Sequence, residues 1–268
     1  MEDTPTRSLE KSLARSESDA NASLRVAQTV VLALKKYRNA LAVGNLKELD
    51  AAMSEVEKVE LTLHQQIATT KAGWDFNVDS YLNSNAFIKE VLATAEQKGV
   101  RIFERDDRLY SYPVLVRVVP SERLVRIDKA REKRLRPTVL VNNLKELQKK
   151  PPRFRPEAFL EALYTAYKKA VRLKGKGLPM SGTVISLLEI YELFTLLPGQ
   201  SKEYSKQEFA RDIYLLDRSG VIATRKGAKL SLPASTGTKI ASRTLSIINE
   251  SGEERLYYGI SFSDEESQ

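Results

Sequence analysis

The strongest pattern in the chain lies between Gly182 and Leu232. It consists of two amphipathic segments, TVISLLEIYELFTLLPG (183–199) and SKQEFARDIYLLDRSG (205–220), followed by VIATRKGAKLSL (221–232). The first two segments carry apolar residues at helical spacing, and the third is typical of a short β-hairpin. The stretch therefore predicts two helices and then a hairpin whose tip is Arg225-Lys226-Gly227.

The second helix has two different faces. Phe209, Ile213 and Leu216 recur at intervals of four and three residues, which places them together on the side expected to be buried. Ser205 followed by Glu208 is the pattern of a capping box at the start of this helix. The opposite side carries residues suited to polar contacts, namely Gln207, Arg211, Tyr214 and Arg218.

This order of a helix, a second helix and a basic two-stranded wing resembles the winged-helix DNA-binding fold. The resemblance is one of pattern and covers about 50 to 75 residues of the chain. In that family the second helix enters the major groove and the wing reaches phosphates or the minor groove. The resemblance implies groove contacts by Gln207, Arg211, Tyr214 and Arg218, and backbone contacts by Arg225, Lys226 and Lys229. Glu208 and Asp212 on the same helix depart from a basic recognition surface, and such a balance accompanies protein–protein contact in other winged helices.

Composition excludes several kinds of chemistry. The 268 residues include no cysteine and a single histidine, His64, so thiolate zinc sites and a cysteine nucleophile are excluded and a histidine-based triad is disfavoured. The N-terminal sequence has no apolar signal region, and no apolar run approaches the length of a membrane span. We expect an intracellular, cytoplasmic protein without a membrane partner, and place His64 on a helix surface.

The positive charge is concentrated in the middle of the chain. Residues 123–180 hold 17 Lys and Arg against 5 Asp and Glu, whereas residues 181–268 hold 10 against 12. A polyanion neutralises such an excess, with counterion release as the driving force. The segment therefore predicts nucleic-acid contacts by Arg123, Arg126, Lys129, Arg131, Lys133, Arg134, Arg136, Lys149, Lys150, Arg153, Arg155, Lys168, Lys169 and Arg172. An acidic protein surface is the alternative partner.

The fold class expected is α+β, with an N-terminal helical hairpin or bundle, a central small antiparallel sheet with basic helices, and a C-terminal winged helix. The central strands are expected at about 100–104, 108–111, 113–119 and 123–127, and Asn143 is expected to begin a short helix. The predicted organisation is a disordered polar N-terminus (1–21), a helical lobe (22–99), a basic α/β region (100–176), a winged-helix-like domain with a C-terminal hairpin (177–262) and an acidic tail (263–268).

No nucleotide-binding loop, nucleophile elbow or metal-ligand spacing occurs in the sequence. We therefore expect no enzymatic activity and no cofactor. A metal-dependent nuclease is the alternative, since carboxylates scattered in the sequence can meet in a fold. Its candidate residues are Glu104, Asp106, Asp107, Asp128 and Lys129, although Asp106-Asp107 is more typical of a solvated hairpin turn, with neighbouring arginines to neutralise it.

These observations predict a non-enzymatic protein that binds nucleic acid, specifically double-stranded DNA, through the basic centre and the winged helix. The first alternative is an adaptor subunit of a nucleic-acid-processing complex, in which the winged helix and the helical lobe hold protein partners. The N-terminal helices are also expected to be able to form a homo-oligomer.

Overall fold

The structure is a computed structural model that describes residues 8–175, 181–233 and 244–263. The helices are α1 (Leu9–Val43), α2 (Leu46–Ala72), α3 (Val78–Asn83), α4 (Ala86–Gln97), α5 (Pro137–Gln148), α6 (Pro156–Lys174), α7 (Leu187–Phe194), α8 (Gln200–Glu203) and α9 (Lys206–Ser219). The strands are β1 (Phe103–Arg105), β2 (Arg108–Ser111), β3 (Val114–Val119), β4 (Leu124–Ile127), β5 (Ala130–Glu132), β6 (Ile185–Ser186), β7 (Lys229–Ser231), β8 (Leu245–Ile248), β9 (Glu254–Tyr257) and β10 (Gly259–Ser263). This mixture of helix and sheet confirms the α+β class.

The chain forms two compact units, and their boundaries differ from the predicted domains. The first unit comprises the described parts of Met1–Lys98, together with Val118–Val125 and Glu132–Asn143. The second comprises the described parts of Gly99–Arg117, Arg126–Arg131 and Leu144–Gln268. The predicted basic region 100–176 is thus divided between the two units rather than forming a domain of its own. Residue 176 and most of the predicted acidic tail lie outside the described residues.

The first unit is dominated by the antiparallel hairpin of α1 and α2. Gly44, with a φ of 69°, ends α1, and the side chain of Asn45 caps α2, so Gly44-Asn45, a pair typical of a turn, separates the two helices. The Ser23 and Thr70 hydroxyls lie 3.0 Å apart, and Lys36 Nζ lies 3.1 Å from Glu55 Oε1. These two contacts fix the register of α1 along α2. His64 is exposed on α2, as expected.

The expectation that residues 1–21 are disordered is wrong for the described part, since α1 begins at Leu9. Its first turn is held by Glu90, a residue of α4. The Glu90 carboxylate accepts hydrogen bonds from the backbone N–H groups of Leu9 (2.8 Å) and Glu10 (2.9 Å), from the Ser8 hydroxyl (2.6 Å) and from the Tyr81 hydroxyl. A carboxylate at a helix N-terminus satisfies orphan N–H donors and complements the helix dipole.

Replacement of Glu90 by alanine is therefore expected to lower the free energy of unfolding of the first unit by about 2–3 kcal/mol, because hydrogen bonds to a charged acceptor are lost and buried donors are left unpaired. Urea denaturation followed by the fluorescence of Trp74, the sole tryptophan, measures this loss. The control is Glu96→Ala, an exposed position of the same helix, where we expect a change of about 0.5 kcal/mol or less. Equal effects of the two substitutions would contradict this role of Glu90.

Three sheets can be traced in the described residues. Strands β1 to β5 lie in sequence order in one sheet, and β2 pairs antiparallel with both β1 and β3. In the second unit β10 lies between β6 and β7 in an antiparallel three-stranded sheet, and β8 pairs with β9. The predicted strands are recovered within three residues at each end, but β5 was missed because its sequence, Ala130-Arg131-Glu132, contains no β-branched or aromatic residue.

The core of the second unit contains α6, α7, α9 and the strands β6, β8 and β10. Phe209 of α9 is completely buried, and its ring is surrounded by four other aromatic rings at centroid distances of 5.6 to 6.2 Å, those of Phe159, Tyr191, Phe194 and Tyr204. This cluster fixes α9 against α6 and α7. The position of α9 in turn determines which of its polar side chains can reach a ligand.

Candidate nucleic-acid interface

The helix α9 forms where the sequence predicts it. The Ser205 hydroxyl accepts a hydrogen bond from the Glu208 N–H (3.3 Å), and the Glu208 carboxylate accepts one from the Ser205 N–H (2.8 Å), which completes the capping box. Gly220 ends the helix in the left-handed conformation with a φ of 72°. Both signals are local, so they operate whatever packs against the helix.

Arg211 does not face outward, and the expectation that it does is wrong. Its side chain is only 14% exposed and forms ion pairs with Asp128 and with Asp212, whose Oδ1 lies 2.8 Å from Nη2. Burial alone would lower the pKa of Arg211, but Asp212 and Asp128 outweigh it and hold that pKa above its ordinary value. The hydroxyl of Tyr204 donates to Asp212 Oδ2 at 2.7 Å. Arg211 is thus committed to contacts within its own unit.

Asp128 has a backbone and side-chain geometry suited to this structural role. It adopts a positive φ of 52°, and its carboxylate accepts the Leu115 N–H at 3.0 Å. Burial raises the pKa of Asp128 despite the neighbouring Arg211 guanidinium. The Asp128 carboxylate therefore lies in a desolvated environment, where its negative charge would be destabilising without the paired guanidinium of Arg211.

The other predicted groove contacts are also engaged or half-buried. Tyr214 is buried and its hydroxyl donates a hydrogen bond to Glu250. Burial raises the pKa of Tyr214, and the hydrogen bond to Glu250 raises it further. Arg218 is exposed and lies 3.3 Å from Glu250 Oε1, while Gln207 is half-buried. The predicted groove residues are not free because α9 is packed on two sides. Six of its residues are buried, more than a single narrow apolar stripe would contain.

The hairpin tip is exposed, as predicted. Gly227 has a φ of 83°, and its N–H donates to the Thr224 carbonyl at 2.9 Å, which closes the turn. The Arg225 N–H donates to Glu161 Oε1 of α6 at 2.6 Å and so places the tip beside α6. The side chains of Arg225 and Lys226 remain exposed, and Lys229 lies exposed on β7.

The C-terminal half of α6 continues this positive surface. Lys168 and Arg172 follow Glu161 by seven and eleven residues, so all three lie on one face of the helix over about 16 Å. Lys168 Nζ lies 4.4 Å above the centre of the Tyr164 ring, and Lys169 and Arg172 are exposed. We use the name basic strip for Lys168, Lys169, Arg172, Arg225 and Lys226. Within the described residues, none of these five side chains forms an ion pair.

The remaining predicted cations of the second unit are scattered. Lys149 pairs with Glu146 at 2.7 Å on the exposed surface of α5. Lys150, Arg153 and Arg155 are exposed around Pro151-Pro152. Arg126 is half-buried, whereas Lys129 and Arg131 are exposed. Helix α5 begins at Pro137, so Asn143 lies within it and is not its cap.

In the first unit three of the four predicted cations are neutralised by carboxylates. Arg123 forms two hydrogen bonds with Asp79 (3.0 and 2.8 Å), Arg134 pairs with Glu132 at 2.6 Å, and Arg136 pairs with Glu10 (2.7 Å) and Glu17 (2.6 Å). Burial would raise the pKa of Glu10, but hydrogen bonds from Thr138 and Arg136 outweigh burial and lower it. Lys133 is exposed. Most of this part of the basic segment therefore ties chain segments together.

The carboxylates of the nuclease alternative do not form a metal site. Asp106 and Asp107 lie in the turn between β1 and β2 with φ values of 48° and 55°, and Glu104 is exposed on β1. Asp128 is paired with Arg211 as described above. Within residues 8–175, 181–233 and 244–263, no three histidine or carboxylate side chains are placed to hold a metal ion.

Comparison of the chain with protein-family models, with curated proteins and with solved structures finds no match. In the part of the chain that the structure describes, no helix combines the length and apolar character needed to cross a membrane. The function is therefore argued from the surface itself.

Proposed function

We propose that the chain is a non-enzymatic protein that binds double-stranded DNA through its phosphates. The observation that carries this proposal is the basic strip, where five cations lie along α6 and the hairpin tip without an ion-pair partner among the described residues. A face of about 16 Å spans roughly five phosphates of one strand, at about 3.4 Å of axis per phosphate. Lysine and arginine side chains without local partners can bind phosphate without first breaking an ion pair within the protein, so the free-energy cost of forming these contacts is small.

The order of elements in the second unit supports a winged-helix interpretation of this surface. Helix α6 is followed by β6, α7, the short α8 and α9, and then by the hairpin that leads into β7. The isolated bridge between Ala223 and Lys229 pairs the two arms of the hairpin. Strand β10 lies between β6 and β7, so the sheet contains a strand from outside the helix–helix–hairpin sequence. In this interpretation the hairpin tip is the wing.

The proposed mode of binding is contact with the DNA backbone and not direct reading of bases. Base readout needs side chains that can enter the groove and form bidentate hydrogen bonds. Arg211 and Tyr214 are already used inside the unit, and Arg218 is the one exposed cation of the predicted groove face. We therefore expect similar affinity for unrelated duplex sequences and a strong dependence of affinity on salt.

The test replaces Lys169, Arg172, Arg225 and Lys226 together by serine in the full chain. Each lost phosphate contact flattens the plot of log affinity against log salt by about 0.9, so the slope should fall by up to about 3.6. Fluorescence anisotropy with a labelled duplex at several salt concentrations measures the slope. A matched variant, with Lys11, Lys47, Lys58 and Lys71 changed to serine, loses the same charge from α1 and α2 and should leave the slope unchanged.

Two outcomes would contradict the proposal. An unchanged slope in the strip variant would show that the strip does not contact DNA. A wild-type chain that binds neither duplex nor single-stranded nucleic acid would favour the adaptor alternative. That alternative is supported by Leu196 and Leu197, which are exposed on the loop after α7, and by the engaged polar face of α9. No arrangement of the described residues favours the nuclease alternative.

A further inference from the structure

The hairpin of α1 and α2 is held by a regular apolar seam. On α1 the half-buried or buried positions recur at alternating intervals of four and three residues, and those on α2 follow the same rule. This spacing is that of an antiparallel coiled coil. The seam residues are Val26, Val30, Ala33, Tyr37 and Ala40 on α1, and Leu49, Ala52, Val56, Val59 and Leu63 on α2.

A second apolar stripe lies one residue after the seam on each helix. On α1 it contains Leu24, Val31, Leu34 and Leu41, whose exposed fractions are 60, 49, 47 and 51%. On α2 the corresponding stripe contains Leu46, Met53 and Ile67, with exposed fractions of 72, 44 and 52%, and the exposed polar residues Asp50, Glu57, Glu60 and His64 lie between them. A step of one residue turns a helix by about 100°. Because the two helices run in opposite directions, this step rotates both stripes to the same side of the hairpin.

The two stripes therefore form one exposed face, which is apolar on α1 except for Arg38 and mixed on α2. From Leu24 to Leu41 the face is about 26 Å long, and two adjacent helices are about 20 Å wide. Two such faces in contact cover roughly 1,000 Å², the lower range of a specific interface. The cluster of exposed apolar side chains within this face is typical of a surface that is covered by another protein.

The charges on this face select the orientation of a second copy. Residues 22–43 of α1 hold four Lys and Arg and no acid, whereas residues 46–60 of α2 hold five Asp and Glu and two Lys. Arg38 lies within the α1 stripe, and Asp50 and Glu57 occupy the corresponding positions of the α2 stripe. Contact between α1 of one copy and α2 of the other pairs opposite charges, whereas contact between the two α1 helices would oppose like charges.

We propose that this face is a homodimer interface. Two hairpins pack face to face with their turns at the same end, and α1 of each copy lies against α2 of the other in a four-helix bundle. The Lys36–Glu55 pair fixes which residues of α1 and α2 lie at the same height along one hairpin. A two-fold axis along the bundle gives α1 of one copy and α2 of the other the same alignment. Arg38 then lies near the partner's Asp50, and Leu34 lies near the partner's Glu57. We assign the partner as a second copy of the chain because the basic α1 side of the face is complementary in charge to the acidic α2 side of the same face.

The first test measures the mass of the full chain by light scattering after size exclusion. The wild type is expected at twice the chain mass of 30.2 kDa. Leu34→Glu should give the monomer, because it places a carboxylate in the apolar face opposite Glu57. Leu32→Glu is the matched control: Leu32 is 58% exposed on the same helix but lies off the face, so the dimer should persist. A monomeric wild type, or a dimeric Leu34→Glu, overturns the proposal.

A charge exchange tests the orientation independently of any loss of apolar contact. Arg38→Glu alone and Asp50→Arg alone should each weaken dimerisation by about tenfold or more, since both place like charges opposite each other. The double variant Arg38→Glu/Asp50→Arg should restore the wild-type association. Circular dichroism should show unchanged helix content in every variant, because all substituted side chains are exposed. Lack of rescue in the double variant overturns the pairing of α1 with α2. None of these measurements depends on DNA binding.

Discussion

Replacement of Arg211 by methionine is expected to lower the free energy of unfolding of the second unit by about 3–5 kcal/mol. Methionine retains most of the packing of the side chain but removes the charge that compensates Asp128 and Asp212. Uncompensated carboxylates in a buried place are strongly destabilising, and here burial already raises the pKa of Asp128. Guanidinium chloride denaturation followed by circular dichroism measures the change.

The matched control is Arg218→Met on the same helix. The Arg218 side chain is 61% exposed and its ion pair with Glu250 is screened by solvent, so the expected change is about 0–1 kcal/mol. Adding Asp128→Asn to Arg211→Met should recover part of the loss, because one uncompensated charge is removed. If Arg211→Met costs no more than Arg218→Met, the buried ion pairs do not stabilise the unit. Arg211 would then be available to a ligand after all.

Replacement of Phe209 by alanine is expected to cost about 3–5 kcal/mol. The ring is fully buried among four other aromatic rings, so alanine loses the transfer free energy of the ring and leaves a cavity that these neighbours cannot fill. This loss is a large part of the stability of a typical domain. Thermal and chemical unfolding followed by circular dichroism should both report it.

Two further variants make the Phe209 result specific. Phe209→Leu keeps an apolar side chain in the site and should cost clearly less than alanine. Leu196→Ala truncates an exposed side chain of the same unit and should change stability by about 0.5 kcal/mol or less. A small effect of Phe209→Ala, similar to that of Leu196→Ala, would mean that α9 is not held by the aromatic cluster.

Several elements were predictable because their causes are local in the sequence. The start of α9 depends on Ser205 and Glu208, which are three residues apart, and its end depends on Gly220. The turn between α1 and α2 depends on Gly44 and the adjacent Asn45. The bounds of β2 were also predicted correctly, since turns at residues 106–107 and 112–113 enclose the strand. In each case the hydrogen bonds that form the feature join near neighbours.

Other elements depend on residues far apart in the sequence. The first turn of α1 has a local cap, since the Ser8 hydroxyl accepts the Lys11 N–H at 3.2 Å, but Glu90 binds two further N–H groups of this turn from about 80 residues away. Most of the positive segment looks uniform in the sequence, yet in the first unit its arginines are paired with carboxylates such as Glu10 and Asp79. No local pattern indicates these distant partners, so neither the contribution of Glu90 nor the neutralised charges could be foreseen.

The candidate site likewise combines features that the local sequence determines with features that depend on tertiary contacts. The sequence by itself determined the apolar stripe of α9, the exposed hairpin tip and the excess of positive charge, because periodicity, turn chemistry and composition act within a few residues. Only the tertiary structure decided which cations are available. Asp128, 83 residues before Arg211, neutralises a predicted groove contact, and Glu161 holds the hairpin tip against α6, on the helix face that carries Lys168 and Arg172 two and three turns further along. A buried charge takes whichever partner the fold brings near it, and that choice is made by packing and not by sequence distance.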